Sequence, residues 1–229
     1  MNIIKFKQID STSTYARLNA PDLPLPSLII AESQSAGRGR RGNSFYSPYG
    51  TGLYMTLLFE AKNEISLITP AAAVAVCKAL NDFFSIDAKI KWVNDILYNG
   101  KKICGILSEC FSVNSKKLIA VGIGINLTTV DFPENLPNAG SIGLDCDKAL
   151  LSETIGKYIL EYAENPDNDS VLKKYKERLF VIKKTISFRE NNIEYSAVVK
   201  DINEQCNLIV ELPDKSIKTL SSGEISIIL

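Results

Sequence analysis

Six residues, Gly37-Arg-Gly-Arg-Arg-Gly42, constrain this chain more than any others. An apolar run, Leu28-Ile-Ile-Ala31, leads into them, and Tyr54-Met-Thr-Leu-Leu-Phe59 leads away. The pattern predicts a glycine-rich loop held between two strands. Glycines let backbone N–H groups approach a ligand closely and adopt positive φ. The arginines add planar cationic forks suited to phosphate or carboxylate. The same composition also suits a solvated turn or a flexible nucleic-acid tether, and the charge balance bears on that choice. Lys+Arg and Asp+Glu each number 26 in 229 residues, so the net charge is zero. A dedicated nucleic-acid binder carries a basic excess, which favours a loop for a small anionic ligand.

The chain contains no histidine. Ser-His-Asp and Cys-His triads, His-ligated zinc and imidazole bases are therefore excluded. Chemistry must rest on Lys, Arg, carboxylates, hydroxyls or backbone amides. Five scattered cysteines, Cys77, Cys104, Cys110, Cys146 and Cys206, show no C-x-x-C spacing and read as reduced thiols. No run approaches the 18 or so apolar residues of a membrane span, and Met1–Lys7 lacks a signal-peptide core. A cytoplasmic protein is expected.

The pattern along the chain predicts an α+β organisation. A short strand over 2–9 leads to the hydroxyl-rich Asp10–Thr14 and a helix over 15–20. Ser11 and Thr12 read either as caps of that helix or as a polar ligand-binding corner at its N-terminus. Strand 28–31, the Gly/Arg loop, a turn-rich passage over 44–52 and strand 53–59 follow. Thr69 as N-cap with Pro70 at the first helical position predicts a helix over 71–84. Strand 89–93, a kink at Asn94-Asp95 and an extended Ile96–Tyr98 lead to Asn99-Gly100, a strong hairpin signal. Strands 101–109 and 118–127, a loop over 128–146, and helices over 148–164 (capped by Asp147) and 169–180 complete residues 1–182. From 183 the pattern changes to five short strands, at 185–188, 194–200, 208–212, 218–220 and 225–229. These predict a small β-barrel domain over 183–229.

Three further features join the Gly/Arg loop: Lys91-Trp-Val-Asn-Asp95, Lys102 with Gly105, and Gly122-Ile-Gly-Ile-Asn126. A hairpin turning at Asn99-Gly100 brings Asp95 and Lys102 close across the ladder. Singly, these pieces are a surface ion pair and a tightly packed strand; together they can build one cleft.

In this order, with Ser47-Pro48, Leu53-Tyr54, Ser11-Thr12, Lys102-x-x-Gly-Ile-Leu-x-Glu109 and Gly223-Glu-Ile-Ser226, they resemble biotin protein ligase, biotin–[acetyl-CoA-carboxylase] ligase, over almost the whole chain. The resemblance implies a mixed sheet flanked by helices, like the class II aminoacyl-tRNA synthetase catalytic domain, with an SH3-like C-terminal barrel. It implies that biotin and ATP, with Mg²⁺, form biotinyl-5′-AMP, and that a lysine of a biotin carboxyl carrier protein takes the biotin and releases AMP. Lys102, Asp95 and Arg40 would be catalytic. Ser11, Thr12, Ser13, Gln34, Gly37, Arg38, Gly39, Arg40, Lys102 and Gly105 would bind biotin. Arg38, Arg40, Arg41, Lys91, Asn94 and Asn126 would bind ATP and the adenylate. The Mg²⁺ ligands are not implied. Because the Ser-Thr pair falls at residue 11, the expectation is a monofunctional enzyme that binds neither nucleic acid nor membrane, as monomer or homodimer.

The chain departs from the family pattern in three places. Asn43 stands where an arginine is common, Phe45 where a tryptophan is usual, and Ile227-Ile228 where some relatives place an arginine. Adenylate retention, the folding of the loop over ligand and a C-terminal ATP contact are the properties these affect. Two rivals remain: a lipoate or octanoate ligase or transferase of the same superfamily, and a non-catalytic nucleotide- or RNA-binding module.

Overall fold

The computed structural model describes residues 1–62, 65–191, 193–221, 223 and 225–227. Seven strands form one mixed sheet: β1 (Asn2–Phe6), β2 (Ser27–Ala31), β3 (Gly52–Glu60), β4 (Lys89–Lys91), β5 (Asp95–Tyr98), β6 (Lys101–Val113) and β7 (Lys116–Asn126), in the order β1-β2-β3-β7-β6-β5-β4. Only the β1–β2 pairing is parallel.

Strand periodicity divides the sheet into two unlike faces. Leu53, Met55, Leu57 and Phe59 of β3 and Ile119, Val121, Ile123 and Ile125 of β7 face the main core. Three helices cover that face: α2 (Ile68–Phe84), α3 (Lys148–Glu164) and α4 (Asn168–Arg178). The alternate residues, Thr56, Gly105, Gly122 and Gly124, leave the opposite face nearly without side chains. The single helix α1 (Thr12–Asn19) covers only one end of it, where Ala16 and Ala20 meet Ile29, Leu58, Leu118 and Ala120. The uncovered part of that face is the floor of a cavity.

Several boundaries differ from expectation, each for a local reason. Helix α1 starts at Thr12 because the Ser11 hydroxyl accepts from Thr14 N. Helix α2 starts one residue before Thr69, with Leu67 as N-cap, so Pro70 falls inside the first turn. Its missing N–H costs nothing there. Helix α4 is capped by Asp167 and ends at Arg178. Strand β1 stops at Phe6 and β4 at Lys91. Strands β6 and β7 run four and two residues further toward each other than expected and meet in a turn whose tip, Asn114-Ser115, has φ of 48° and 64°.

The C-terminal strands β8 (Thr185–Glu190), β9 (Ile193–Ile202), β10 (Leu208–Glu211), β11 (Ile217–Leu220) and β12 (Ile225–Ile227) form an antiparallel sheet in the order β11-β10-β9-β8-β12. Asn192, Glu224 and the end of the expected last strand, Ile228 and Leu229, lie outside the described residues. The two sheets share one core. Between them the Trp92 indole donates to Cys206 O at 2.8 Å, and beside it the Tyr175 hydroxyl of α4 donates to Val93 O at 3.0 Å. No helix of the described residues is long and apolar enough to cross a membrane.

Candidate active site

The Gly/Arg segment folds as a small hairpin over the glycine floor. Phe45 N donates to Gly37 O at 2.9 Å and Gly39 N to Asn43 O at 2.7 Å, with Arg40–Gly42 a short 3-10 turn at the tip. Arg41 takes φ 55° there and is exposed at the cavity rim. Beneath the hairpin lies a cavity of about 310 Å³. The Phe45 ring rests on the floor. A Cβ on Gly105 would lie 3.3 Å from that ring, and one on Gly124 would overlap it. These two glycines are direct cross-strand partners, so their missing side chains make one slot.

One wall is polar, and its proton directions can be deduced. Gln34 Oε1 cannot donate, so Thr12 donates to it through both N (2.9 Å) and Oγ1 (3.1 Å). Thr12 having used its proton, Thr56 Oγ1 donates to Thr12 Oγ1 at 2.9 Å. Ser13 must then donate to Thr56, at 3.1 Å. At the other end Gln34 Nε2 donates to Ser47 Oγ at 2.9 Å, and Ser47 donates to Phe45 O at 2.9 Å. Every internal bond is satisfied. What remains for a ligand is acceptor capacity on Ser13 Oγ and one N–H of Gln34. Ser11 serves as the helix cap and does not line the cavity.

The opposite wall is charged. Asn99 and Gly100 form the turn at φ 49° and 75°, and a bulge after Ile96 sets Asp95 opposite Gly105. Lys102 Nζ reaches Asp95 Oδ1 at 2.7 Å, its side chain passing beside Gly105. Arg40 Nη1 donates to Asn94 Oδ1 at 3.1 Å, and Asn94 Nδ2 donates to Ile106 O at 2.8 Å. The Arg38 guanidinium is held by both carboxylate oxygens of Glu109, at 2.9 and 2.8 Å. Lys91 lines the same wall.

A second cavity of about 210 Å³ lies beyond Phe45, lined by Phe132, Leu136, Pro137, Asn126 and Ala139. Ser44, Phe45 and Lys102 line both cavities. The roof of the second is the loop after β7. Lys102 N donates to Asn138 O at 2.8 Å, and Gly140 N donates to Lys102 O at 2.9 Å. Asn126 Nδ2 donates to Gly140 O at 2.9 Å, while the buried Asn126 Oδ1 has no hydrogen-bond partner among the described residues.

The structure thus brings Thr12, Ser13, Gln34, Arg38, Gly39, Arg40, Arg41, Lys91, Asn94, Asp95, Lys102 and Gly105 around one cavity. Gly37 lies buried at the hairpin base, against Phe45 O and Ser47 Oγ, and Asn126 belongs to the second cavity. Sequence reasoning had no site role for Thr56, for Leu136 of the second cavity, or for the C-terminal Gly223, Ile225 and Ser226, which line the first cavity. Thr56 had a signal: it is the lone aliphatic hydroxyl in an apolar strand. Among the described residues no three His, Cys, Asp or Glu side chains gather as a metal site.

These features define a class: an α+β unit with an arginine-lidded, two-chambered cleft, closed at one side by a small antiparallel sheet. The chain belongs to the biotin/lipoate A/B protein ligase family, whose model matches residues 5–126. Residues 182–227 match the biotin protein ligase C terminal domain. The bifunctional ligase/repressor BirA of Bacillus subtilis is 37% identical over 127 residues, 53% of this chain and 38% of its own length. BirA of Escherichia coli is 28% identical over 236 residues, 96% of this chain and 72% of its own. The biotin protein ligase of Aquifex aeolicus, solved in complex with biotin and ATP, superposes with a TM-score of 0.82 at 26% identity, covering 99% of this chain and 98% of that one. The chain therefore spans well under half of the Bacillus relative and nearly all of the Aquifex structure.

Proposed function

We propose that this chain is an ATP-dependent biotin protein ligase: it forms biotinyl-5′-AMP and passes the biotin to a lysine of a biotin carboxyl carrier protein. The observation that carries the reading is the pair of cavities meeting at Lys102. One chamber suits a small acid with a polar head, the other suits a flat apolar base, and the shared ammonium stands where their reactive ends would meet. The Aquifex relative, solved with biotin and ATP, supports the same pair of substrates.

The polar wall distinguishes biotin from lipoate. A ureido ring offers N–H donors and a carbonyl acceptor, which match the Ser13 acceptor and the Gln34 N–H left over by the hydroxyl chain. A dithiolane offers neither and would leave both groups buried and unpaired, at about 1–3 kcal/mol each. In the second chamber the unpaired Asn126 Oδ1 suits an exocyclic amine such as that of adenine.

In the first step a biotin carboxylate oxygen attacks the α-phosphorus of ATP, a P–O bond forms, and pyrophosphate leaves. Lys102 draws carboxylate and phosphate together and stabilises the charge that develops between them. Arg40 adds a second cation, since its present partner is a neutral amide. Mg²⁺ enters as part of MgATP. Such an ion, bound through phosphates, uses one or two carboxylates, and Asp95 is the carboxylate that lines the cavity among the described residues. In the second step the acceptor amine attacks the acyl carbon and AMP departs; Asp95 orients that amine and takes its proton. No enzyme nucleophile is required.

The test is biotin-dependent ATP–pyrophosphate exchange, followed by streptavidin detection of a carrier domain. Exchange driven by lipoate but not by biotin sinks the assignment in favour of the lipoate alternative. Absence of any exchange points to a binding module.

A further inference from the structure

Arg38 and Arg40 sit two residues apart in one hairpin, yet their side chains end on chemically different partners. Arg40 meets the neutral amide of Asn94 and keeps its full charge. Arg38 meets a carboxylate in the two-pronged geometry that guanidinium and carboxylate share, 71 residues away in the chain. Its charge is already answered, so it offers an incoming phosphate much less than Arg40 does.

Resting on the adenylating function proposed above, we infer that Glu109 is a positioning residue that holds the hairpin 37–45 down over the reaction through the Arg38 guanidinium. Four observations lead there. Arg38 forms the base of the hairpin, bridged to Ser44 across it, so fixing Arg38 fixes both arms. Glu109 lies on β6 two steps beyond Gly105 and Leu107 on the cavity face, within the same rigid strand that carries Lys102. Its side chain is 17% exposed while that of Arg38 is 38% exposed, so the pair is partly shielded from the screening that makes most surface ion pairs nearly worthless. The carboxylate is also fixed from behind: Arg17 of α1 approaches it at 3.6 Å while its guanidinium lies over the Phe111 ring at 5.4 Å. Helix α1 begins with Thr12 and Ser13, so one strap joins lid, polar wall and lysine strand.

The two arginines thus divide the labour, Arg38 fastening the lid and Arg40 facing the phosphate. In this view Glu109 touches neither substrate, and its loss acts on retention of the intermediate rather than on forming it.

The experiment is a double-mutant cycle on Glu109→Ala and Arg38→Ala with two readouts: amide deuterium exchange over residues 37–45, and release of biotinyl-5′-AMP into solution. The strap predicts that each single change speeds both by roughly three- to tenfold, the range of a well-formed but partly exposed pair. It predicts that the double change goes no further, and that Arg38→Lys, reaching one oxygen, falls between. A much larger loss in Arg38→Ala than in Glu109→Ala overturns the inference and makes Arg38 a ligand-contacting group, as does an unchanged Glu109→Ala. Should Glu109→Ala fail to fold, Glu109→Gln keeps the shape without the charge and is expected to move both readouts the same way. If the unmodified chain makes no adenylate, the proposed function fails, while amide exchange still judges the strap.

Discussion

The two chambers that share Lys102 are built by opposite means. In the first, Ser13, Thr56, Thr12, Gln34 and Ser47 form a chain of hydrogen bonds with a single proton direction, drawn from four separate segments. Nothing in that chain needs to move to accept a ligand. The second is roofed by a loop lined with Phe132, Leu136 and Pro137 and clipped to the sheet through Lys102 and Asn126, with one buried acceptor left over. A closed hydrogen-bond network fixes shape and chemical identity together, whereas an apolar roof fixes little beyond flatness. On the proposed function, this contrast puts discrimination between acids in the first chamber and leaves the second able to tolerate repacking.

Mutations can break or sharpen this contrast. The largest effect is expected at the junction. Lys102→Ala should cut biotin-dependent pyrophosphate exchange by about 10²–10³, the usual cost of removing a group aimed at developing charge; near-normal exchange would remove Lys102 from the first step. Next, Thr12→Val breaks the hydroxyl chain in its middle and strands buried polar partners, which costs about 1–3 kcal/mol. The KM for biotin should rise about tenfold to a hundredfold with the KM for ATP little changed. A parallel rise in both would show that the wall is not a separate chamber. Asn126→Ala should do the reverse, raising the KM for ATP by about tenfold; Asn126→Asp keeps the acceptor but loses the donor to Gly140 O and sets a carboxylate against that carbonyl, so it should restore little.

The smallest effect concerns the support under Phe45. Burial pushes the Tyr54 hydroxyl up to about 12, partly offset by Thr51, and the hydroxyl donates to Pro48 O at 3.0 Å. The unfolded chain ionises this tyrosine near pH 10, before the folded one does. The contribution is therefore whole below pH 10 and lost as pH rises toward 12. Tyr54→Phe should cost about 1 kcal/mol at neutral pH and flatten that alkaline decline in a denaturation series.

The first chamber was far more legible in the sequence than the second. The hairpin at Asn99-Gly100, the Asp95–Lys102 encounter and the Gly/Arg lid rest on local signals: a turn dipeptide, strand counting and glycine spacing. The bulge after Ile96 was not visible, yet the encounter survives because the Lys102 side chain is long enough to span the one-residue shift. The roof of the second chamber was read only as a loop over 128–146, because contacts such as Lys102 with Asn138 leave no periodic trace. The Arg38–Glu109 pair joins residues 71 apart, and no spacing rule reaches that far. The extension of β6 left a trace, since Phe111 and Val113 alternate with the exposed Cys110 and Ser112, whereas Lys116 and Lys117 at the start of β7 are both exposed and show no alternation.

The first cavity is bounded by Thr12 at one end of the chain and by Ser226 at the other. Ile225 and Ser226 reach it through β12, which is held by β8. Chains emerge from the ribosome N-terminus first, so α1, the lid and the lysine strand are made long before the wall that completes them. On that order of synthesis the large sheet waits with an open cleft until β12 is made. A chain cut short anywhere before β12 therefore lacks part of the chamber, whatever the large sheet has already built.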